Sequence, residues 1–116
     1  MSAASTIGAA QVADAAPLFA ALGDETRLRL LLRLAASGPE SITHLSAESP
    51  VSRQAITKHL DVLSKAGLVR GGRRGREHIW ELEPQRFAEA SEYLDRISRQ
   101  WDDALGRLKR FVEEEP

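Results

Sequence analysis

Three apolar residues, Ile56, Leu60 and Leu63, fall at i, i+4 and i+7 within residues 51–81, and no other feature restricts the fold as much. The spacing is that of an amphipathic helix, so one side must pack on a core while the other faces outward. The outward side carries Arg53, Gln54, Thr57, Lys58 and Asp61. Ser52 stands where an N-cap belongs, which puts Arg53 and Gln54 in the first turn. Gly67 is a natural stop. A strand is expected from Leu68 and Val69, then a tip in which Gly71, Gly72 and Gly75 allow tight turning. A second strand follows, with Ile79, Trp80 and Leu82. A helix that offers Arg and Gln from its N-terminal end, followed by a basic hairpin, suits DNA. The helix fits the major groove, and the hairpin reaches the backbone or the minor groove.

The rest of the chain supplies helices to support this unit. One is expected from about Ala15 to Leu22, with Leu18, Phe19 and Leu22 on one face, ending at Gly23. Asp24 caps a second, with a core face of Leu28, Leu31, Leu32 and Ala35, ended by Gly38-Pro39. Ser41 caps a short third helix over ITHLSAES, with Ile42 and Leu45 inward, and Ser49-Pro50 breaks it. The turn from there to Ser52 is short, which makes the third and fourth helices a helix-turn-helix.

Pro84 suits the first turn of a last helix reaching about Glu114. Along it Phe87, Ala90, Leu94, Ile97, Trp101, Ala104, Leu108 and Phe111 recur at spacings of three and four, and Leu105 and Val112 widen the stripe. A helix of about 30 residues is roughly 45 Å long, more than the remaining chain can cover. The expectation is therefore a homodimer, with Leu18, Phe19, Leu22, Leu94, Ile97, Trp101, Leu105 and Leu108 at the interface. Residues 1–14 read as a flexible tail, and 15–116 as one domain with its dimerisation helix at about 84–114.

The net charge of −1 over 116 residues seems wrong for a nucleic-acid binder. It hides an asymmetry. Residues 50–80 hold seven Lys or Arg against Asp61 and Glu77, a net of +5, while both flanks are acidic. Phosphate responds to the local field, because charges beyond roughly 8–10 Å are screened. With no cysteine, disulfides and zinc-thiolate sites are excluded. No stretch reads as a signal peptide or a membrane span, so a cytoplasmic location without membrane contact is expected. Neither a Gly-rich phosphate loop nor a GxSxG motif occurs, and no enzyme is expected.

Ser52, Arg53, Gln54, Thr57 and Lys58 are the candidates for base or phosphate contact, with Arg73, Arg74 and Arg76 at the hairpin tip. For Ser52 the cap alone is a sufficient explanation. His44, His59 and His78 come from three different elements with no i, i+4 pair, so no metal site or cofactor is expected. Trp101 reads as a large interface residue, although a ligand pocket between the terminal helices is an alternative. Asp95, Asp102 and Asp103 read as a solvated face.

The runs LGDETRLRLLLRL and SRQAITKHLDVLSKAGLV, with the arginine-rich hairpin ending in IWEL, resemble the ArsR-type winged helix-turn-helix regulators. The resemblance covers about residues 17–84 motif by motif. It implies a mostly α fold with a small β-hairpin: four helices, two strands and a fifth helix, dimeric through the terminal helices. It also implies a repressor on a palindromic double-stranded operator, with the helix at 52–66 reading the major groove and the hairpin at 70–80 as the wing. The departure is the sensor. Members that sense metal through cysteines carry them in the segment matching ITHLSAES, which has no thiol here. Others use histidine and carboxylate ligands on the last helices, and residues 84–116 contain no histidine. An effector, if one exists, is then a small molecule of another kind. The alternatives are a regulator without ligand, and a protein-interaction module that kept the fold and lost DNA binding. The second predicts eroded charge at Arg53, Lys58, Arg73, Arg74 and Arg76.

Overall fold

The computed structural model describes residues 7–114. In chain order it holds α1 (Ala9–Leu22), α2 (Glu25–Ser37), β1 (Glu40–Ser41), α3 (Ile42–Ala47), α4 (Arg53–Lys65), β2 (Val69–Arg74), β3 (Glu77–Leu82) and α5 (Pro84–Glu113). This is a mostly helical, winged helix-turn-helix architecture.

Ile56, Leu60 and Leu63 of α4 are completely buried, as their spacing requires. They meet Leu18 and Ala21 of α1, Leu30, Leu31 and Leu34 of α2, Ile42 and Leu45 of α3, Leu68, Val69 and Trp80 around the sheet, and Ala90 of α5. Each large aliphatic side chain buried this way contributes about 1.5–3 kcal/mol. Because all three anchors of α4 sit in the core, its rotation about its own axis is fixed. Gly67 has φ +80°. Its N–H donates to the Ser64 carbonyl at 3.0 Å and that of Leu68 to Leu63 at 2.9 Å, which closes α4 in a Schellman motif. The chain is thereby turned straight into β2.

Four expectations about the elements need correction. First, α1 begins at Ala9, six residues before the expected start at Ala15. Residues 9–14 of the expected tail are therefore helical, while 1–6 lie outside the described residues. Pro17 inside α1 and an alanine-rich first half hide the periodicity, and the helix is held from outside. Arg86 of α5 reaches the Asp14 carboxylate and the Asp14 carbonyl, each at 3.2 Å, and its Nε donates to the Ala66 carbonyl at 3.1 Å. One guanidinium thus joins α1, α5 and the end of α4.

Second, the core face of α2 is Leu30, Leu31 and Leu34. Leu28, Leu32 and Ala35, expected to be inside, are exposed. The run RLRLLLRL has leucines on several helical phases, so period alone does not choose among them. Tertiary packing does.

Third, Glu40–Ser41 adds a third strand, giving a sheet of order β1-β3-β2 in which Glu40 faces Trp80 and Ser41 faces Ile79. Two residues carry no alternation to read.

Fourth, Gly71 and Gly72 lie inside β2, not at the tip. Arg74 pairs with Glu77, which leaves a two-residue turn of Gly75 and Arg76. Gly75 has φ +64°, and among the described residues no non-glycine residue has positive φ, as a type II′ turn requires.

α5 runs past the core. Phe87 and Ala90 pack on it, but Leu94, Trp101, Leu105, Leu108 and Phe111 are each 53–66% exposed. The molecule is accordingly 72 Å long and 27 and 21 Å across. Of the expected interface residues, Leu18 is withdrawn: at 1% exposure it belongs to the protomer's own core. Phe19 and Leu22 are half-buried at the core's edge, with the Phe19 ring 6.0 Å from that of Tyr93, and Ile97 is half-buried.

Candidate nucleic-acid interface

α4 owes its start to Ser52, whose hydroxyl accepts the Ala55 N–H at 3.1 Å. This cap satisfies one free donor of the first turn. With the apolar stripe held in the core, Arg53, Gln54, Thr57 and Lys58 all face outward and are exposed. The Thr57 hydroxyl donates to the Arg53 carbonyl at 2.9 Å. Its proton is therefore committed within the helix, which leaves its methyl group and an oxygen lone pair for a partner.

Directly facing residues of paired strands share a side of the sheet. Gly71 faces Trp80, and Arg73 faces His78. These four accordingly lie on one side of the wing, with Arg70, Arg74 and Glu77 on the other. The first side turns toward α3 and α4. There a notch of about 270 Å³ is lined by Ile42, Thr43, Arg53, Thr57, Arg73, Arg76, Glu77, His78 and Trp80. The structure thus brings Arg53, Thr57, Arg73 and Arg76 together. Gln54 and Lys58 sit elsewhere on the outer face of α4, Ser52 is at its cap, and Arg74 is on the far side of the wing. Thr43, Glu77 and His78 are the polar notch residues that were not expected at the site. His78 is legible once the turn is known to have two residues, because the register then places it beside Arg73. Thr43 had no signal.

The electrostatics divide the cations into two groups. Arg33, Arg70 and Arg86 are each held by carboxylates. Arg70 pairs with Glu81 at 2.8 Å and Glu83 at 3.5 Å, and Glu81 above all strengthens its hold on its proton. Behind the interface, Arg33 grips both oxygens of the buried Glu40 at 2.9 Å. His44 reaches the same carboxylate at 2.7 Å and Glu48 at 3.6 Å. The Arg33 hydrogen bonds hold the Glu40 carboxyl below the ordinary glutamate range, against the opposing effect of burial. By contrast, Arg53, Lys58, Arg73, Arg74 and Arg76 form no ion pair among the described residues.

A second cluster ties the end of α1 to α4. Arg27 donates to the Ala21 carbonyl at 2.6 Å and the Ala20 carbonyl at 3.3 Å, capping the end of α1. It also lies 3.3 Å from His59 Nδ1 on α4. Asp24 caps α2 by accepting the Arg27 N–H, which lowers its carboxyl below the usual value. Among the described residues no group of three or more His, Asp or Glu could hold a metal ion, and no helix is long and apolar enough to cross a membrane.

A helix-turn-helix domain family matches residues 22–71. The chain is 36% identical over 95 residues to the HTH-type transcriptional regulator Rv2034 of Mycobacterium tuberculosis, across 82% of this chain and 85% of that one. It is 32% identical over 82 residues to the arsenical resistance operon repressor of Escherichia coli, across 71% and 70% of the two chains. Among solved structures it is similar to an ArsR-like transcriptional regulator from Rhodococcus, with a TM-score of 0.80 and 37% identity over 91% of this chain and 99% of that one.

Proposed function

This chain belongs to the ArsR family of helix-turn-helix transcriptional regulators, which are DNA-binding proteins and not enzymes, and from that premise we propose that it acts as a homodimeric repressor on a palindromic operator. One observation carries the proposal. The polar face of α4 and the inner face of the wing open into a single notch whose arginines have no carboxylate partner among the described residues. Phosphate is the partner that fits. Arg53 and Gln54 extend from the first turn of α4 as base-edge contacts, since Arg pairs bidentately with guanine and Gln with adenine. Arg73 and Arg76 follow the backbone from one side of the wing and Arg74 from the other, which fixes register without reading sequence.

The uncovered stripe of α5 supports the dimer. Leu94, Trp101, Leu105 and Leu108 present an apolar seam that the protomer leaves in solvent, with half-buried Ile97 on the same helix and Phe19 of α1 against Tyr93. In this reading a second copy on the same seam would set two α4 helices about 34–36 Å apart, the spacing of successive major grooves. Release by a small-molecule effector needs only a ligand that prefers one spacing of those helices. A hundredfold preference is about 2.7 kcal/mol. The protein would act in the cytoplasm, where its operator lies.

Operator selection tests this reading: purified protein is mixed with a random duplex library at near-physiological salt, and the retained DNA is sequenced. The expected result is an inverted repeat with half-site centres about 10–10.5 base pairs apart. A single enriched half-site would contradict the dimer. Retention without enrichment would return the chain to the class of interaction modules.

A further inference from the structure

We infer that His78 is a further DNA contact, a proton-linked phosphate ligand that makes binding tighten as pH falls. The inference rests on the DNA-reading proposal and adds a residue and a linkage to it. The three histidines differ in their surroundings. His44 lies against Glu40 and Glu48, and His59 lies between Asp24 and Arg27. His78 is exposed, and its ring nitrogens make no hydrogen bond or ion pair among the described residues.

Its ring is nonetheless held in place. It stacks on Trp80, with centroids 4.6 Å apart and planes 18° from parallel. It also lies over Gly71, where a Cβ would run into His78 Nε2 and come within 3.0 Å of the Trp80 ring. The missing side chain at position 71 is what lets the imidazole settle there.

The groups that share the notch decide its chemistry. Arg73 is its cross-strand partner, Arg76 is in the turn, Arg53 lines the same notch from α4, and Glu77, on the opposite side of the wing by register, is the one acid at the notch's edge. A phosphate diester drawn into the notch by those three arginines stabilises the imidazolium form beside it and accepts a hydrogen bond from it. Binding DNA therefore takes up a proton. Histidine is the side chain whose charge ordinarily changes between about pH 5 and pH 8, so the effect falls in an accessible range.

The test is the affinity of full-length protein for the selected duplex, measured by fluorescence anisotropy at constant salt from about pH 8 to about pH 6. Wild-type protein is expected to bind about fivefold or more tightly at the lower pH. His78→Gln should bind more weakly there and lose most of the pH dependence. His78→Lys, a permanent cation, should bind tightly throughout with little dependence. Thermal unfolding of each variant checks that the wing and core stay folded. An unchanged slope in His78→Gln, or a flat wild-type profile, would overturn the inference while leaving DNA reading intact. No binding of wild-type protein at any pH would overturn both.

Discussion

Two regions of this molecule use the same residue type in opposite ways. At the junction of α2, β1 and α3, Arg33 is closed in by Glu40, Glu48 and the His44 carbonyl. In the notch between α4 and the wing, Arg53, Arg73 and Arg76 have no such partner among the described residues. The first region holds the fold together. The second presents charge to something outside it. A count of arginines cannot separate these roles; pairing read together with place in the fold can.

The comparison can be tested from its buried side first. Arg33→Met leaves the Glu40 carboxylate buried with only His44 beside it, and should lower stability by about 3 kcal/mol in urea unfolding. A loss below about 1 kcal/mol would mean that this junction is not a structural pair. On the open side, Arg53→Ala should leave urea unfolding unchanged but weaken binding to the selected duplex by about 2 kcal/mol, roughly thirtyfold, and relax the sequence preference at one position. If stability fell instead, Arg53 would belong with Arg33.

Smaller effects sharpen the division. Arg73→Ala and Arg76→Ala should each weaken binding by about 1 kcal/mol on selected and random duplexes alike. A change of sequence preference would mean that the wing reads bases. The last effect is the pH response of the buried pair. The Glu40 carboxyl is held below its ordinary value of 4.5, so the unfolded chain takes up its proton more readily than the folded one. Its stabilisation is complete above that value and is lost as pH falls through the lower, folded one. The contribution lost by about pH 4 is under about 1 kcal/mol. Acid titration of Arg33→Met should show a shallower decline than wild type over that window, and an equal decline would count against the pairing.

How much of this was legible in the sequence follows the same division. α4 was legible because three apolar residues, a capping serine and a stopping glycine agree on one helix in one orientation. The wing was legible in outline, but its register waited on the length of the turn, and His78 waited with it. The inward face of α2 was not legible, because leucines at nearly every phase fit more than one packing. β1 was too short to leave a pattern, and α1 is held from Arg86, 72 residues beyond Asp14. Which cations are free was not legible either. Arg33 meets Glu40 seven residues on, across a helix end, and Arg70 meets Glu81 across a hairpin. Such pairs exist only once the chain has folded.

The most direct test of the division is the salt dependence of DNA affinity. The slope of log affinity against log salt would be measured on one selected duplex for wild type, for the open-side variant Arg73→Ala/Arg76→Ala, and for Arg96→Ala, whose cation pairs with Glu92 at 3.0 Å on α5. The predicted result is a slope reduced by about one per open-side cation removed from each protomer, and unchanged by Arg96→Ala. Equal slopes in all three proteins, or a loss shared by Arg96→Ala, would contradict the claim that the unpaired cations of α4 and the wing meet DNA.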